Sequence, residues 1–263
     1  MVRAGLTITA LVLATSAVFV SGRQRAGSAD TVPTVVAARV LANYPHDTSA
    51  FTEGLFVRDG RLFESTGLEG QSVIRETDLP SGRVVREATI PSGQFGEGIV
   101  DWGADLISVT WQGGVGYRWR LGDFRRLAEF RYPGEGWGLT QDGRSIILSD
   151  GTPVLRFMDP KTLHETRRIV VTAQGRPQAM LNELEYVDGE ILANIWHDER
   201  IARIDPANGR IKGWIDLGAI VRATPKRDGE SVPNGIAWDK RARALYVTGK
   251  NWPTLYRIAW PAT

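Results

Sequence analysis

The stretch FGEGIVDWGADLISVT, residues 95–110, places the carboxylate of Glu97 between two glycines at the start of an apolar run. Glycine packs no side chain and weakens a strand, so this start indicates that the backbone passes close to another group. Four near-copies share its order of polar start, apolar strand, turn and second apolar strand. They are FTEGLFVRDGRLFEST from Phe51, GEGWGLTQDGRSIILSD from Gly134, LNELEYVDGEILANIW from Leu181 and PNGIAWDKRARALYVTG from Pro233.

The five copies recur at a nearly constant interval, which is typical of a four-stranded propeller blade. Successive steps of 44, 40, 46 and 51 residues separate the aligned positions Gly54, Gly98, Gly138, Leu184 and Gly235. The first four copies are each followed by a second hairpin built on turn pairs such as Asp-Pro, Ser-Gly or Asn-Gly. The sequence therefore predicts an all-β fold, a five-bladed β-propeller that occupies residues 33–263 as one domain.

The fifth copy is incomplete, because the chain ends soon after TLYRIAW and leaves the last blade without an outer strand. An apolar run from Val35 to Leu41 precedes the first copy and has no partner strand of its own. Pairing this run with the last blade closes the ring and removes both unpaired edges. We therefore predict that an N-terminal strand, Val35 to Leu41, completes the fifth blade.

Residues 1–29 have the layout of a secretory signal peptide, with Arg3, an apolar stretch to Val20, and then small residues. Ala26 and Ala29 are plausible cleavage positions, and an uncleaved N-terminal anchor is the alternative, because the apolar stretch approaches the length of a membrane span. Both interpretations predict an exported protein, periplasmic or secreted, with no membrane association after signal removal. The chain has no cysteine, so disulfides cannot stabilise it.

The charge of the chain excludes one class of partner. Its 263 residues include 32 basic and 30 acidic side chains, for a formal net charge of +2, and the basic residues are dispersed along the sequence. A nucleic-acid-binding protein concentrates basic residues on one face, so we expect no nucleic-acid partner. We expect a monomer that uses no cofactor.

In a propeller the first strand of each blade lines the central channel, so the five copies bring their polar starts to one mouth. The residues concerned are Glu53, Glu97, Trp137, Asn182 with Glu183, and Asn234. Trp111, Trp196 and Lys250 follow second strands and are expected at the same mouth. Apolar walls with a few polar groups are typical of a small-ligand pocket. The alternative is that the polar residues only hydrogen-bond one another across a water-filled channel.

These motifs resemble those of the glutaminyl-peptide cyclotransferases of the plant and bacterial type, a family of five-bladed propellers. The resemblance extends from about Tyr44 to Ile258 and rests on FTEGL, FGEGI, YPGEGWGLTQDG, LNELEYVDGEILANIW and LYVTGKNWP. It implies that N-terminal glutaminyl residues of peptides or proteins are converted to pyroglutamyl residues, with loss of ammonia and without a metal. The active-site set that it implies is Phe51, Glu53, Glu97, Trp111, Trp137, Asn182, Trp196 and Lys250.

This reaction needs a proton shuttle rather than a protein nucleophile, because the substrate's own amine attacks its side-chain amide. We assign the shuttle to Glu97, and we expect Lys250 and Asn182 to hydrogen-bond the amide or its developing oxyanion as catalytic residues. The substrate-binding residues are then Phe51, Glu53, Trp111, Trp137 and Trp196. Glu53 is a departure, since the family usually has Gln at this position.

Two other functions fit the same sequence pattern. A calcium-dependent, lactonase-like propeller would use hard oxygen ligands near the axis, from Glu97, Asn182, Asn234 and Asp150. A non-catalytic binding propeller would use the pocket without turnover. Sensitivity to a chelator distinguishes the first alternative, and the effect of changing Glu97 on turnover distinguishes the second.

Overall fold

The repeated hairpins of the sequence form the strands of a β-propeller. The structure is a computed structural model, and it describes residues 32–261. Two strands precede the first repeat, β1 (Thr34–Ala37) and β2 (Val40–Pro45). The predicted signal peptide or anchor at residues 1–29 lies outside the described residues. Within the described part of the chain, no helix has the length and apolar character needed to cross a membrane.

Blades 1 to 3 are four-stranded antiparallel sheets, each built from consecutive strands. Blade 1 contains β3 (Thr52–Arg58), β4 (Arg61–Thr66), β5 (Val73–Asp78) and β6 (Arg83–Thr89). Blade 2 contains β7 (Gly96–Trp102), β8 (Asp105–Thr110), β9 (Val115–Arg120) and β10 (Arg126–Arg131). Blade 3 contains β11 (Leu139–Gln141), β12 (Ile146–Leu148), β13 (Val154–Met158) and β14 (Glu165–Val170).

A small hairpin of β15 (Thr172–Ala173) and β16 (Arg176–Pro177) leads from blade 3 to blade 4. Blade 4 contains β17 (Leu181–Val187), β18 (Glu190–Ile195), β19 (Arg200–Ile204) and β20 (Ile211–Asp216), and the short helix α1 (Gly218–Ala223) follows it. Blade 5 contains β21 (Pro233–Asp239), β22 (Ala244–Gly249) and β23 (Thr254–Ile258). The predicted five-bladed, all-β architecture is confirmed.

The ring closes through the N-terminal segment, as predicted, but two strands share the task. β2 pairs antiparallel with β23 and is the outer strand of blade 5, whereas β1 pairs in parallel with β20 at the edge of blade 4. The bounds predicted for a single closing strand, Val35 to Leu41, are therefore wrong. The physical reason is that two neighbouring blade edges lack partners, and the segment covers both by crossing between them at Ala38, whose N–H donates to Asp216 O (2.8 Å).

The apolar core lies between the blades rather than at the centre of the ring. Five clusters of buried side chains each combine residues from two neighbouring blades. One example packs Phe63 and Ile74 of blade 1 against Leu106 and Trp119 of blade 2. Inner strands such as β7 are buried on both faces near their starts, because a neighbouring blade covers each face. The core therefore depends on complete closure of the ring.

Close approach of the inner strands explains the glycine that recurs after the polar start of a repeat. A Cβ atom on Gly54 would lie 2.6 Å from the backbone nitrogen of Ile99 in blade 2. A Cβ atom on Gly98 would lie 2.5 Å from the backbone nitrogen of Leu139 in blade 3. Real Cβ contacts are not this short, so glycine is required where one blade's inner strand meets the next.

We expect Gly98→Ala to lower the free energy of unfolding by about 1–3 kcal/mol, because the added methyl group overpacks against a backbone that cannot move aside. The control is Gly122→Ala, where a Cβ would have no neighbour within 4 Å and the backbone is not in the left-handed region. The control should change stability by about 0.5 kcal/mol or less. Urea unfolding of the three proteins measures both values, and equal stabilities would contradict the close approach.

Candidate active site

A cavity of about 600 Å³ lies at the channel mouth where the inner strands begin. This volume is in the usual range for a small-ligand site. All eight residues that the sequence selects line this one cavity: Phe51, Glu53, Glu97, Trp111, Trp137, Asn182, Trp196 and Lys250. The structure thus brings together residues from all five blades.

Antiparallel pairing within a blade explains why the eight residues meet. The start of the first strand and the end of the second lie at the same end of a hairpin. Glu53, Glu97 and Asn182 occupy the second position of β3, β7 and β17. Trp111, Trp196 and Lys250 directly follow the ends of β8, β18 and β22. Both kinds of position therefore face the same mouth.

Hydrogen bonds between neighbouring blades fix the backbone at this level. Four of them are Gly98 N to Trp137 O (2.7 Å), Ser149 Oγ to Asn182 O (2.6 Å), Gly235 N to Asn194 Oδ1 (3.0 Å) and Asn234 Nδ2 to Thr52 O (2.9 Å). The fifth joins Ser65 Oγ to Glu97 O. Every blade junction thus has a bond on or beside a residue that lines the cavity, so the ring holds the site rigidly.

The chain turns sharply beside three of the lining residues. Met180, His197 and Asn251 have φ angles of 63°, 62° and 59°. A positive φ is uncommon outside glycine and costs of order 1–3 kcal/mol, so it persists only where the surrounding structure enforces it. These turns lie within two residues of Asn182, Trp196 and Lys250 and direct those side chains into the cavity.

Aromatic rings form the walls of the cavity in two edge-to-face groups. Phe95 packs against Phe51 at a centroid distance of 6.1 Å and against Trp111 at 5.7 Å. Trp137 and Trp196 pack perpendicular to each other at 5.7 Å. Such contacts give the walls a defined shape. Trp111 is 40% exposed and therefore forms part of the rim.

A buried chain of charged and polar groups crosses one side of the cavity. Lys250 Nζ donates to Glu53 Oε1 at 2.7 Å and lies 4.4 Å from the centroid of the Phe51 ring. Asn234 Nδ2 donates to Glu53 Oε2 at 2.9 Å. Burial raises the pKa of Glu53 to about 7, although the Lys250 ammonium opposes this rise. Both oxygens of Glu53, expected from the sequence to bind substrate, therefore have partners within the protein.

Glu97 is buried, with 6% of its surface exposed, and its Oε2 atom has no hydrogen-bond partner. Burial and the neighbouring charge of Glu53 raise the pKa of Glu97 well above its usual value, and Lys250 opposes the rise. An unpartnered, buried carboxylate oxygen is unfavourable unless a ligand satisfies it. A carboxyl group with these properties can accept and return a proton near neutral pH.

Two other lining residues also present buried polar atoms without partners, Asn182 Oδ1 and Trp196 Nε1. Together with Glu97 Oε2 they provide two acceptors and one donor around a single cavity. Each such atom costs free energy when it is left unsatisfied. The set therefore marks where a small polar group binds.

Sequence reasoning missed several lining residues. Phe95 occupies the same place in the second repeat as Phe51 in the first, so the repeat alignment contained a signal for it. Glu135 stands between two glycines, as Glu97 does, and could have been found by that pattern. Met180 precedes the fourth repeat, and Glu230 comes from the segment between α1 and β21. No repeat or motif indicated these two.

The oxygen set considered for calcium does not have the arrangement of a cation site. Asn234 directs its Nδ2 donor toward Glu53, and Asp150 Oδ2 lies 3.4 Å from a guanidinium nitrogen of Arg156. The Lys250 ammonium lines the same cavity. Among residues 32–261, no group of three or more His, Cys, Asp or Glu side chains is arranged to hold a metal.

A five-bladed propeller with one buried, aromatic-walled pocket at its channel mouth and an unpartnered carboxylate in that pocket defines a class of small-group-processing propellers. The sequence model described as "Glutamine cyclotransferase" matches residues 10–260. The chain therefore belongs to the glutamine cyclotransferase family, and the resemblance inferred from its motifs is confirmed.

Two relatives illustrate this membership. The chain is 39% identical to the glutaminyl-peptide cyclotransferase of Arabidopsis thaliana over 241 residues, which cover 90% of this chain and 75% of the relative. The crystal structure of Myxococcus xanthus glutaminyl cyclase superposes with a TM-score of 0.82 at 36% identity, covering 86% of this chain and 97% of that chain. Both similarities extend over most of the propeller, beyond the site residues alone.

Proposed function

We propose that this chain converts N-terminal glutaminyl residues of peptides and proteins to pyroglutamyl residues with release of ammonia. Membership of the glutamine cyclotransferase family supports the reaction class. The observation that carries the assignment in this molecule is the set of three unpartnered buried atoms, Glu97 Oε2, Asn182 Oδ1 and Trp196 Nε1.

The three atoms complement an N-terminal glutaminyl group. Its α-amine and its amide NH₂ are donors, which suit the carboxylate of Glu97 and the carbonyl oxygen of Asn182. Its amide oxygen is an acceptor, which suits the indole N–H of Trp196. The aromatic walls hold the flexible side chain in a folded conformation, so that the amine lies close to the amide carbon.

The reaction forms a bond between the α-nitrogen and the amide carbon of the substrate and breaks the bond from that carbon to the amide nitrogen. The attacking amine loses a proton to Glu97, and Glu97 returns a proton to the departing nitrogen, which leaves as ammonia. The carboxylate is regenerated, so no other proton acceptor is needed. The raised pKa of Glu97 suits it to both halves of this transfer.

Charge develops on the amide oxygen during the attack. The Trp196 N–H is available to this oxygen, and the ammonium of Lys250 supplies a positive charge in the same cavity. Fixed donors of this kind stabilise an oxyanion without reorganising. The substrate's amine is the nucleophile, so no protein nucleophile is required.

We further propose that the enzyme acts as a monomer and without a metal. The rest of a peptide substrate leaves the cavity past Trp111, which is partly exposed at the rim. A chelator such as EDTA should leave turnover unchanged, and one molecular mass by light scattering should correspond to a single chain. Loss of turnover in chelator would favour a calcium-dependent propeller instead.

We propose export of the protein, either to the periplasm or out of the cell, directed by residues 1–29. The signal-like order of Arg3, an apolar stretch and small residues supports this. We expect N-terminal sequencing of the protein from its native host to begin just after Ala26 or Ala29. A chain that keeps Arg3 and fractionates with membranes would show an uncleaved anchor, and one recovered from the cytoplasm would contradict export.

We expect Glu97→Gln to lower kcat by a factor of about 10² to 10⁴, the usual effect of removing a general acid–base group. The amide keeps the size of the side chain but cannot carry the proton. Ammonia release from a Gln-initiated dipeptide measures the effect. Glu129→Gln is the control, because Glu129 lies on the outer strand β10 and pairs with Arg131. Full activity in Glu97→Gln would contradict the assignment, whereas binding of the dipeptide without turnover by the parent would indicate a binding propeller.

We expect Glu53→Gln to shift the acidic limb of the kcat–pH profile to lower pH. The charge of Glu53 raises the pKa of Glu97, and its removal also frees the charge of Lys250 to lower that pKa. Glu97 acts first as a base, which is lost as the pH falls through its pKa, so a lower pKa moves the limb down. Each unit corresponds to about 1.4 kcal/mol of interaction. Profiles of the parent and variant that superpose would show that the two carboxyl groups do not interact during turnover.

A further inference from the structure

Glu135 occupies a loop between blades 2 and 3, and its carboxylate joins two walls of the cavity. Its Oε2 atom accepts the indole N–H of Trp111 at 3.0 Å and the indole N–H of Trp137 at 2.9 Å. Trp111 follows β8 of blade 2, whereas Trp137 precedes β11 of blade 3. One carboxylate oxygen therefore links the rings of two different blades.

The backbone of this loop is itself anchored from below. Arg156 of β13 is buried, and its guanidinium donates to the carbonyl oxygens of Pro133 (2.6 Å) and Glu135 (2.7 Å). Two charge-assisted bonds from one planar group fix both position and direction. The carboxylate of Glu135 is therefore presented from a fixed backbone.

The two indoles need such a restraint because ring contacts alone hold them weakly. Trp111 is partly exposed and touches Phe95 by an edge. Trp137 touches Trp196, the residue whose N–H is unpartnered in the cavity, by an edge-to-face contact. An edge-to-face contact is worth about 0.5–1.5 kcal/mol, and a hydrogen bond to a charged group adds about 1.5–3 kcal/mol.

We propose that Glu135 is a positioning residue that fixes the indole planes of Trp111 and Trp137 and thereby shapes the pocket that folds the glutaminyl side chain. The proposal rests on the proposed function for its kinetic consequence. Its structural part, the restraint on two indoles, stands on the two hydrogen bonds alone. The competing role is a direct contact of Glu135 with the substrate's α-amine, since Glu135 also lines the cavity.

The variants separate hydrogen bonding from charge. Glu135→Leu keeps approximate volume and removes the acceptor, whereas Glu135→Gln keeps an acceptor oxygen and removes the charge. Glu129→Leu is the control for loss of an acidic side chain outside the cavity. Trp111→Phe and Trp137→Phe remove the indole N–H and keep an aromatic ring.

The structural readout is the set of indole N–H signals of ¹⁵N-labelled full-length protein by NMR. The two Phe variants assign the signals of Trp111 and Trp137. We expect Glu135→Leu to shift both signals and to accelerate exchange of both protons with solvent by at least about tenfold, the scale of a lost hydrogen bond. Glu129→Leu should leave both signals in place. Unmoved signals in Glu135→Leu would overturn the proposal whether or not the protein has cyclase activity.

The kinetic readout is kcat and KM for a Gln-initiated dipeptide. We expect Glu135→Leu to lower kcat/KM by about 10- to 100-fold, mainly through kcat, because misplaced walls no longer hold the near-attack conformation. Glu135→Gln should restore activity to within about threefold of the parent, since a positioning role needs the acceptor rather than the charge.

The two mechanisms differ in a double-mutant cycle. In a Trp111→Phe, Trp137→Phe background, Glu135→Leu should have less than about a threefold further effect if Glu135 acts through the indoles. An undiminished effect, or failure of Glu135→Gln to restore turnover, would instead show direct contact with the amine and overturn the proposal. A parent protein without cyclase activity would refute the proposed function alone, because the NMR result decides the restraint independently.

Discussion

The close approach of inner strands around the channel is the constraint on which the rest of the structure depends. At Gly54 and Gly98 the neighbouring backbone lies where a Cβ would be, so successive blades meet backbone to backbone. This contact sets the distance at which the apolar clusters between blades can pack. It also places the residue before each of these glycines, Glu53 or Glu97, at the channel mouth. One steric requirement therefore links the stability of the ring with the position of its site.

The sequence was a good guide wherever the repeat itself carries the information. Repeat spacing predicted five blades, and the shared polar starts predicted that Glu97 and Asn182 would meet at one mouth. The repeat could not predict features outside its pattern. β1 pairs with blade 4 because that blade also has an open edge, which no count of strands in blade 5 reveals. Glu230 reaches the cavity from a segment between repeats, where neither spacing nor hydrophobic alternation applies.

The hydrogen-bond partners of the site residues depend on packing that a sequence does not encode locally. Glu53 could be placed at the mouth from its repeat, but its pairing with Lys250 and Asn234 follows from the contact between blades 1 and 5. Similarly, Trp196 was expected only as an apolar wall, and its unpartnered N–H becomes visible when its surroundings are known. Residue type and position were predictable, whereas the division into satisfied and unsatisfied atoms was not.

The balance of charge in the cavity reconciles two opposing needs of the proposed reaction. Five carboxyl groups line it, from Glu53, Glu97, Glu135, Asp150 and Glu230, against the single ammonium of Lys250. An excess of negative charge favours binding of a protonated α-amine, yet that amine attacks only after it loses its proton. The same excess raises the pKa of Glu97, which makes it a stronger proton acceptor at the point where the proton must leave. Because Lys250 is bonded to Glu53, its charge limits this rise and keeps Glu97 able to return the proton to the departing nitrogen.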